Sequence, residues 1–196
     1  MRNKAIRNAL IFIWSFALMF LQLGCRSDES MINSTKEEQI ERGKYLVLYG
    51  GCSDCHSPKV LTPNGPMPDE SRLLSGHPEG SKLSDFDLSL VESGKWVFFT
   101  SDLTATVGPW GATFAVNLTP DEQTGIGLWT EEIFINAMRT GKHMGEGTPI
   151  LPPMPWRNLS HLTDDDLKSI FAYLRTLKPI KNEVPVAVPL SQLKVQ

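Results

Sequence analysis

At 196 residues the chain has room for one ordinary domain and not comfortably for two. Its 41% hydrophobic and 21% charged residues fit a globular protein, and a formal charge of -3 at pH 7 offers no basic surface for nucleic acid.

Arg2, Lys4 and Arg7 precede an apolar run from Ala9 to Leu21. A positive segment followed by a short apolar one predicts a signal peptide over residues 1–24. The run is shorter than the ~20 residues of a comfortable membrane span. It closes at Leu21-Gln22-Leu23-Gly24-Cys25, which resembles the lipobox of bacterial lipoproteins. Gly24 is the small residue before an acylated cysteine, while Gln22 departs from the apolar residue usual at its place. The expectation is a domain exported to the periplasm and held to the membrane by a lipidated Cys25, the alternative tether being an uncleaved signal anchor. Residues 25–34 are small and polar and read as a short tether.

The first helix opens at Thr35-x-x-Glu38, a capping box. Ile40, Gly43, Val47 and Leu48 follow at helical spacing, and Gly50-Gly51 stops the helix. Gly43 inside it costs roughly 1 kcal/mol against alanine, which close approach of a second helix would offset.

Next comes Cys52-Ser53-Asp54-Cys55-His56. Two thiols at this spacing can each form a thioether to one edge of a porphyrin while the adjoining imidazole reaches its iron. Cys52, Cys55 and His56 therefore read as the attachment site of one covalent haem c, with His56 on the iron. A thioredoxin-like redox pair and half of a zinc site use the same letters. A zinc ribbon wants a second cysteine pair, and Cys25 lies in the processing segment. A redox pair wants a strand-to-helix junction, which the surroundings of Cys52 do not show.

Between Ser57 and Leu128 the pattern breaks up. Pro58, Pro63, Pro66, Pro68 and Pro78 disfavour helix. Lys95 to Thr100 and Ala112 to Val116 are β-prone runs separated by Asp102 to Gly111, and they predict a small irregular hairpin. So long a connection is expected to wrap something, and a haem suits. Thr130 caps a second helix with Ile133, Phe134, Ala137 and Met138 on its apolar stripe, stopped by Gly141. A Gly- and Pro-rich loop runs to Trp156. Thr163-Asp164-Asp165-Asp166 opens the last helix, whose buried face is Leu167, Ile170, Phe171 and Leu174 and which Lys178-Pro179 ends. Residues 35–179 thus read as one domain and 180–196 as an extended C-terminal tail.

An iron held by one histidine has an open sixth position, and its occupant separates electron transfer from ligand chemistry. Met154 is favoured: Pro153 and Pro155 stiffen its backbone, and it lies far along the chain from His56. Met144 comes second, and Met67, His77, His143 and His161 remain candidates, although core packing is the ordinary role of a lone methionine.

The order of helix, Cys-x-x-Cys-His, long loop, helix, Pro-Met-Pro loop and capped final helix resembles the class I cytochrome c fold. More narrowly, Asn117-Leu118-Thr119-Pro120-Asp121, Gly125-Ile126-Gly127, Pro152-Pro153-Met154-Pro155-Trp156 and Leu162 to Leu167 resemble one haem module of the cytochrome c subunits of membrane-associated dehydrogenases. The resemblance covers roughly residues 40–179. It implies an all-α fold with three main helices around one haem, His56 as proximal and Met154 as distal ligand, and Gly43 where the first helix crosses the last near Ile170 and Tyr173. Such subunits commonly carry several haem modules, and this chain has one motif.

The function expected is electron transfer between redox partner proteins, a membrane-associated dehydrogenase among them, with the iron cycling between ferrous and ferric. The alternative is a haem-based binder or sensor of a small ligand, with the sixth position open or weakly held. A peroxidase would need a positioned acid/base, and no residue can be given that role, so no catalytic activity of its own is expected.

Overall fold

The computed structural model describes residues 35–193. The expected signal peptide, Cys25 and tether lie outside them.

Helix α1 (Lys36–Tyr49) begins as its capping box requires. Thr35 Oγ1 accepts from the Glu38 amide at 3.2 Å, and the Glu38 carboxylate accepts from the Thr35 amide at 2.8 Å. Gly50 closes α1, and Gly51, at φ 64°, turns the chain into α2 (Cys52–His56). The motif therefore occupies a short helix of its own.

Strands β1 (Lys59–Thr62) and β2 (Gly65–Pro68) pair antiparallel in the stretch whose prolines argued against regular structure. Pro66 and Pro68 are tolerated because this ribbon has two strands, and an edge strand can lack an N–H on its open side. After α3 (Leu88–Glu92) comes a three-stranded antiparallel sheet: β3 (Phe98–Phe99), β4 (Ala105–Gly108) and β5 (Gly111–Phe114), in that order. The two β-prone runs are thus present as β3 and β5 but do not pair with each other. The expected separator contains the central strand, β4, which turns into β5 through Pro109-Trp110.

Helix α4 (Glu131–Thr140) is capped by Thr130 and ended by Gly141 at φ 66°. A short α5 (Trp156–Leu159) precedes α6 (Asp164–Leu174), whose Thr163 hydroxyl accepts from the Asp166 amide at 3.1 Å. α6 stops before Lys178-Pro179: beyond Leu174 the amides of Thr176 and Leu177 reach back three residues, a tightened last turn.

α1, α4 and α6 share the main core, built from Val47, Phe134, Ala137, Leu167, Ile170 and Leu174, with the Phe134 and Phe171 rings 5.4 Å apart. Leu48, expected on the apolar stripe of α1, is exposed. A Cβ on Gly43 would lie 1.8 Å from the Ser169 carbonyl oxygen and 2.9 Å from Tyr173 Cβ, so α1 and α6 cross backbone to backbone there. The expected crossing point holds to within one residue. Val91, Val107 and Ala112 form a second, smaller core under the sheet.

The three main helices are those expected, the short α2, α3 and α5 were not, and the all-α class needs amending by two small sheets. Among the described residues no helix is long and apolar enough to cross a membrane.

As far as Leu193 the tail has little regular structure, and it is fastened at Ile180, Asn182 and Val188. Val188 and Ala112 exchange both backbone hydrogen bonds, at 2.8 and 2.9 Å. Asn182, 8% exposed, donates to the carbonyls of Ser75 and His77 and accepts from the Glu79 amide.

Candidate haem site

Cys52, Cys55 and His56 stand at i, i+3 and i+4 on α2, which places them on one face of its single turn. The left-handed Gly51 makes the approach from α1 possible, since an L side chain rarely adopts that conformation. Lys59 secures the other end: its ammonium donates to the carbonyls of Ser53, Asp54 and Ser57 at 3.0, 2.8 and 2.7 Å. A cation on the last carbonyls of a helix is favourably placed against the helix dipole. Buried Ser57 Oγ accepts from the Leu74 amide at 2.9 Å, tying the exit of α2 to the long loop.

His56 is buried, and its Nδ1 lies 2.8 Å from the Val116 carbonyl oxygen. A carbonyl only accepts, so Nδ1 carries the proton and Nε2 keeps its lone pair for a metal ion. Burial lowers the pKa of the imidazole, with the Val116 hydrogen bond working the other way. Neutral imidazole is the ligating form. Burial pushes the Cys52 thiol up to about 11, and burial together with Asp54 raises Cys55. A redox-active pair wants the opposite, a thiolate stabilised near neutrality. Among the described residues no three His, Cys, Asp or Glu side chains gather closely enough to hold a metal ion on their own.

Two cavities adjoin the motif. One, of about 180 Å³, is lined by Cys55 and His56, by Thr104, Thr106 and Thr113 of the sheet region, and by the loop from Pro149 to Pro155. The other, of about 300 Å³, is lined by Cys52 and by apolar residues of α1, α4 and α6. Met154 and Pro155 line both. Cys55 on one cavity and Cys52 on the other place the two thiols where a flat, largely apolar macrocycle spanning both would pass. The residues present fit a haem.

Met154 is half-buried, and its loop is anchored by Thr113 Oγ1 donating to the Pro152 carbonyl at 3.0 Å and by the Ile150 amide donating to Gly141 at 2.8 Å. The other sixth-ligand candidates lie elsewhere. Met67 and Met144 are about half exposed, and His143 and His161 are exposed. His77 is buried against Thr104 and Phe114. None of these five lines either cavity. Trp96, Trp110, Trp129 and Trp156 do not line the cavities; Trp156 packs against Gly141, where a Cβ would lie 2.3 Å from its ring.

The sequence model of the cytochrome c family matches residues 40–178. The chain belongs to the cytochrome c family. The family's chemistry is electron transfer by covalently bound haem c. Over 154 residues the chain is 35% identical to a nicotinate dehydrogenase subunit of Pseudomonas putida, covering 79% of this chain and 10% of that protein. Over 159 residues it is 32% identical to the cytochrome c subunit of the quinone alcohol dehydrogenase of Gluconobacter oxydans, covering 79% of this chain and 26% of that one. A diheme cytochrome c-type protein of Cereibacter sphaeroides is 29% identical over 175 residues, 87% of this chain and 47% of its own length. This cytochrome c chain thus spans a tenth to about a quarter of the dehydrogenase subunits it matches.

The motif and Met154 were visible in the sequence. Lys59, Val116 and Thr113 were not, although a lysine three residues beyond a short helix is a recognisable capping signal.

Proposed function

We propose that the chain is a mono-haem electron-transfer cytochrome held on the periplasmic side of a bacterial membrane through Cys25. In this proposal Cys52 and Cys55 carry the haem as thioethers, His56 Nε2 takes the proximal position and Met154 the distal one. Residues 35–179 are the haem domain, and residues 180–196 are the tail that fastens over it. The observation that carries this reading is that His56 and Met154 line one cavity, with Cys55 beside them and Cys52 on the adjoining one.

Bound there, the haem iron supplies one-electron chemistry, cycling between ferrous and ferric. The protein supplies the rest. The Val116 carbonyl fixes the tautomer and aim of His56. Met154 is a soft donor, which favours the reduced state and raises the potential. Apolar walls from Val47, Phe134, Leu167 and Ile170 limit water and keep the charge change in a low-dielectric setting.

For the partner we infer a membrane-associated dehydrogenase. Relatives named as cytochrome subunits of fructose, alcohol and gluconate dehydrogenases support this. Intact-mass spectrometry of protein extracted from membranes is expected to show one haem on the chain and acyl groups on a chain beginning at Cys25. A mass without haem overturns the cofactor assignment, and an unacylated mass overturns the lipid tether. Rapid stoichiometric binding of carbon monoxide by the reduced protein would favour the ligand-binding alternative over the carrier.

A further inference from the structure

The sheet that the sequence pattern only half disclosed has two unlike faces. Along β4 side chains alternate, as strand geometry requires. Val107 joins the small core with Val91 and Ala112, and Ala105 is buried on the same side of the strand. The opposite set, Thr104 and Thr106, lines the cavity that holds His56 and Met154. Thr113, the cross-strand partner of Thr106 on β5, lines it as well. A β-sheet thus presents hydroxyls to a cavity that is otherwise mostly apolar.

Two of these hydroxyls have already spent their hydrogen. Thr104 donates to the Asp102 carboxylate at 2.9 Å, and Thr113 donates to the Pro152 carbonyl at 3.0 Å. Thr106 is 3% exposed, and its hydroxyl has no hydrogen-bond partner among the described residues. Trp110 Nε1 is the one fully buried side-chain polar atom without a partner among the described residues, so the Thr106 hydroxyl is not sealed in but opens on the cavity, where its hydrogen is free to be donated to a ligand atom. The ligand class follows from the haem that the proposed function places here. A haem c has two propionate carboxylates, on the porphyrin edge away from its thioethers. None of the residues lining the two cavities is Lys, Arg, Asp or Glu, so a carboxylate entering them meets neutral donors only.

We propose that Thr106 donates a hydrogen bond to a haem propionate, and that the β4–β5 sheet is the wall that receives this edge of the macrocycle. This inference rests on haem attachment at Cys52 and Cys55. Thr106 is then a positioning residue, acting on the iron through the charge of the propionate. A hydrogen bond to the carboxylate withdraws part of its negative charge from the iron. Its loss should stabilise the ferric state and make the carboxylate harder to ionise.

The test compares the holoprotein with Thr106→Val, which keeps the shape without the hydroxyl, and with Thr106→Ser, which restores it. Intact mass first reports whether haem is attached, so failure of the underlying assignment is seen separately. Resonance Raman then reads the propionate bending mode, and spectroelectrochemical titration reads the midpoint potential against pH. The result expected for Thr106→Val is a shifted propionate mode, a lower midpoint potential and a pH-dependent bend moved to higher pH, with Thr106→Ser returning all three towards the wild type. If Thr106→Val does not mature, Thr106→Ala supplies the same comparison with more room. A haem-loaded Val or Ala variant with the wild-type mode and the wild-type potential at every pH overturns the proposal.

Discussion

Asp102 shows how one side chain near the site responds to the fold. Burial disfavours its charge. Hydrogen bonds from Thr100 and Thr104 and the nearness of His77 outweigh that and hold the carboxyl below its ordinary value. The folded protein therefore binds this proton less readily than the unfolded chain does. The stability it contributes is complete above the unfolded pKa of about 3.9 and is lost as pH falls through the lower folded value. Denaturation midpoints measured at falling pH should thus drop less for Asp102→Asn than for the wild type, and equal slopes would remove Asp102 from the acid response. At this scale the sequence was legible where function is local. Cys52, Cys55 and His56 sit within five positions and announce their geometry through spacing alone. The Val116 carbonyl that aims His56 is sixty positions away, and a backbone atom leaves no mark in a side-chain pattern. Met154 stood out because prolines flank it, which is again a local signal.

Among elements, the contact of α1 with α6 makes the sharpest demand. Gly43→Ala puts a methyl group 1.8 Å from the Ser169 carbonyl oxygen, where backbone and not a flexible side chain must give way. The expected loss is at least about 3 kcal/mol, read as a lower urea midpoint or as failure to accumulate holoprotein. A near-wild-type midpoint would mean that the helices can slide apart cheaply. The same glycine was the clue in the sequence, because an interior helix glycine is costly unless a neighbour needs the space. The helices were readable for a related reason: capping residues and a 3.6-residue stripe are written locally. The sheet was not. β4 has three residues with side chains between Thr104 and Gly108, too few to display alternation, and its pairing with both neighbours depends on contacts across turns. The β1–β2 ribbon was hidden by prolines that an edge strand can accept.

Across the whole molecule, the long loop and the tail close the structure that the helices begin. Asn182 joins them, with its amide group satisfying the carbonyls of Ser75 and His77 and the amide of Glu79. Asn182→Ala leaves those buried groups unmatched. It should cost about 2 kcal/mol, a fall in Tm of roughly 4–8 °C for a chain of this size, and should speed hydrogen exchange at the Glu79 amide. An unchanged Tm would make the tail an ornament. The sequence showed the tail as extended and proline-bearing, and nothing in it named a partner, since its hydrogen bonds reach residues from 58 to 107 positions away.

If one haem sits between His56 and Met154, the optical spectrum of the purified ferric protein carries its mark. Iron held by a thioether sulfur shows a weak band in the red. That band should be present in the wild type and lost in Met154→Ala, with the haem still covalently attached. Its absence from the wild type, or its survival in Met154→Ala, would contradict the account.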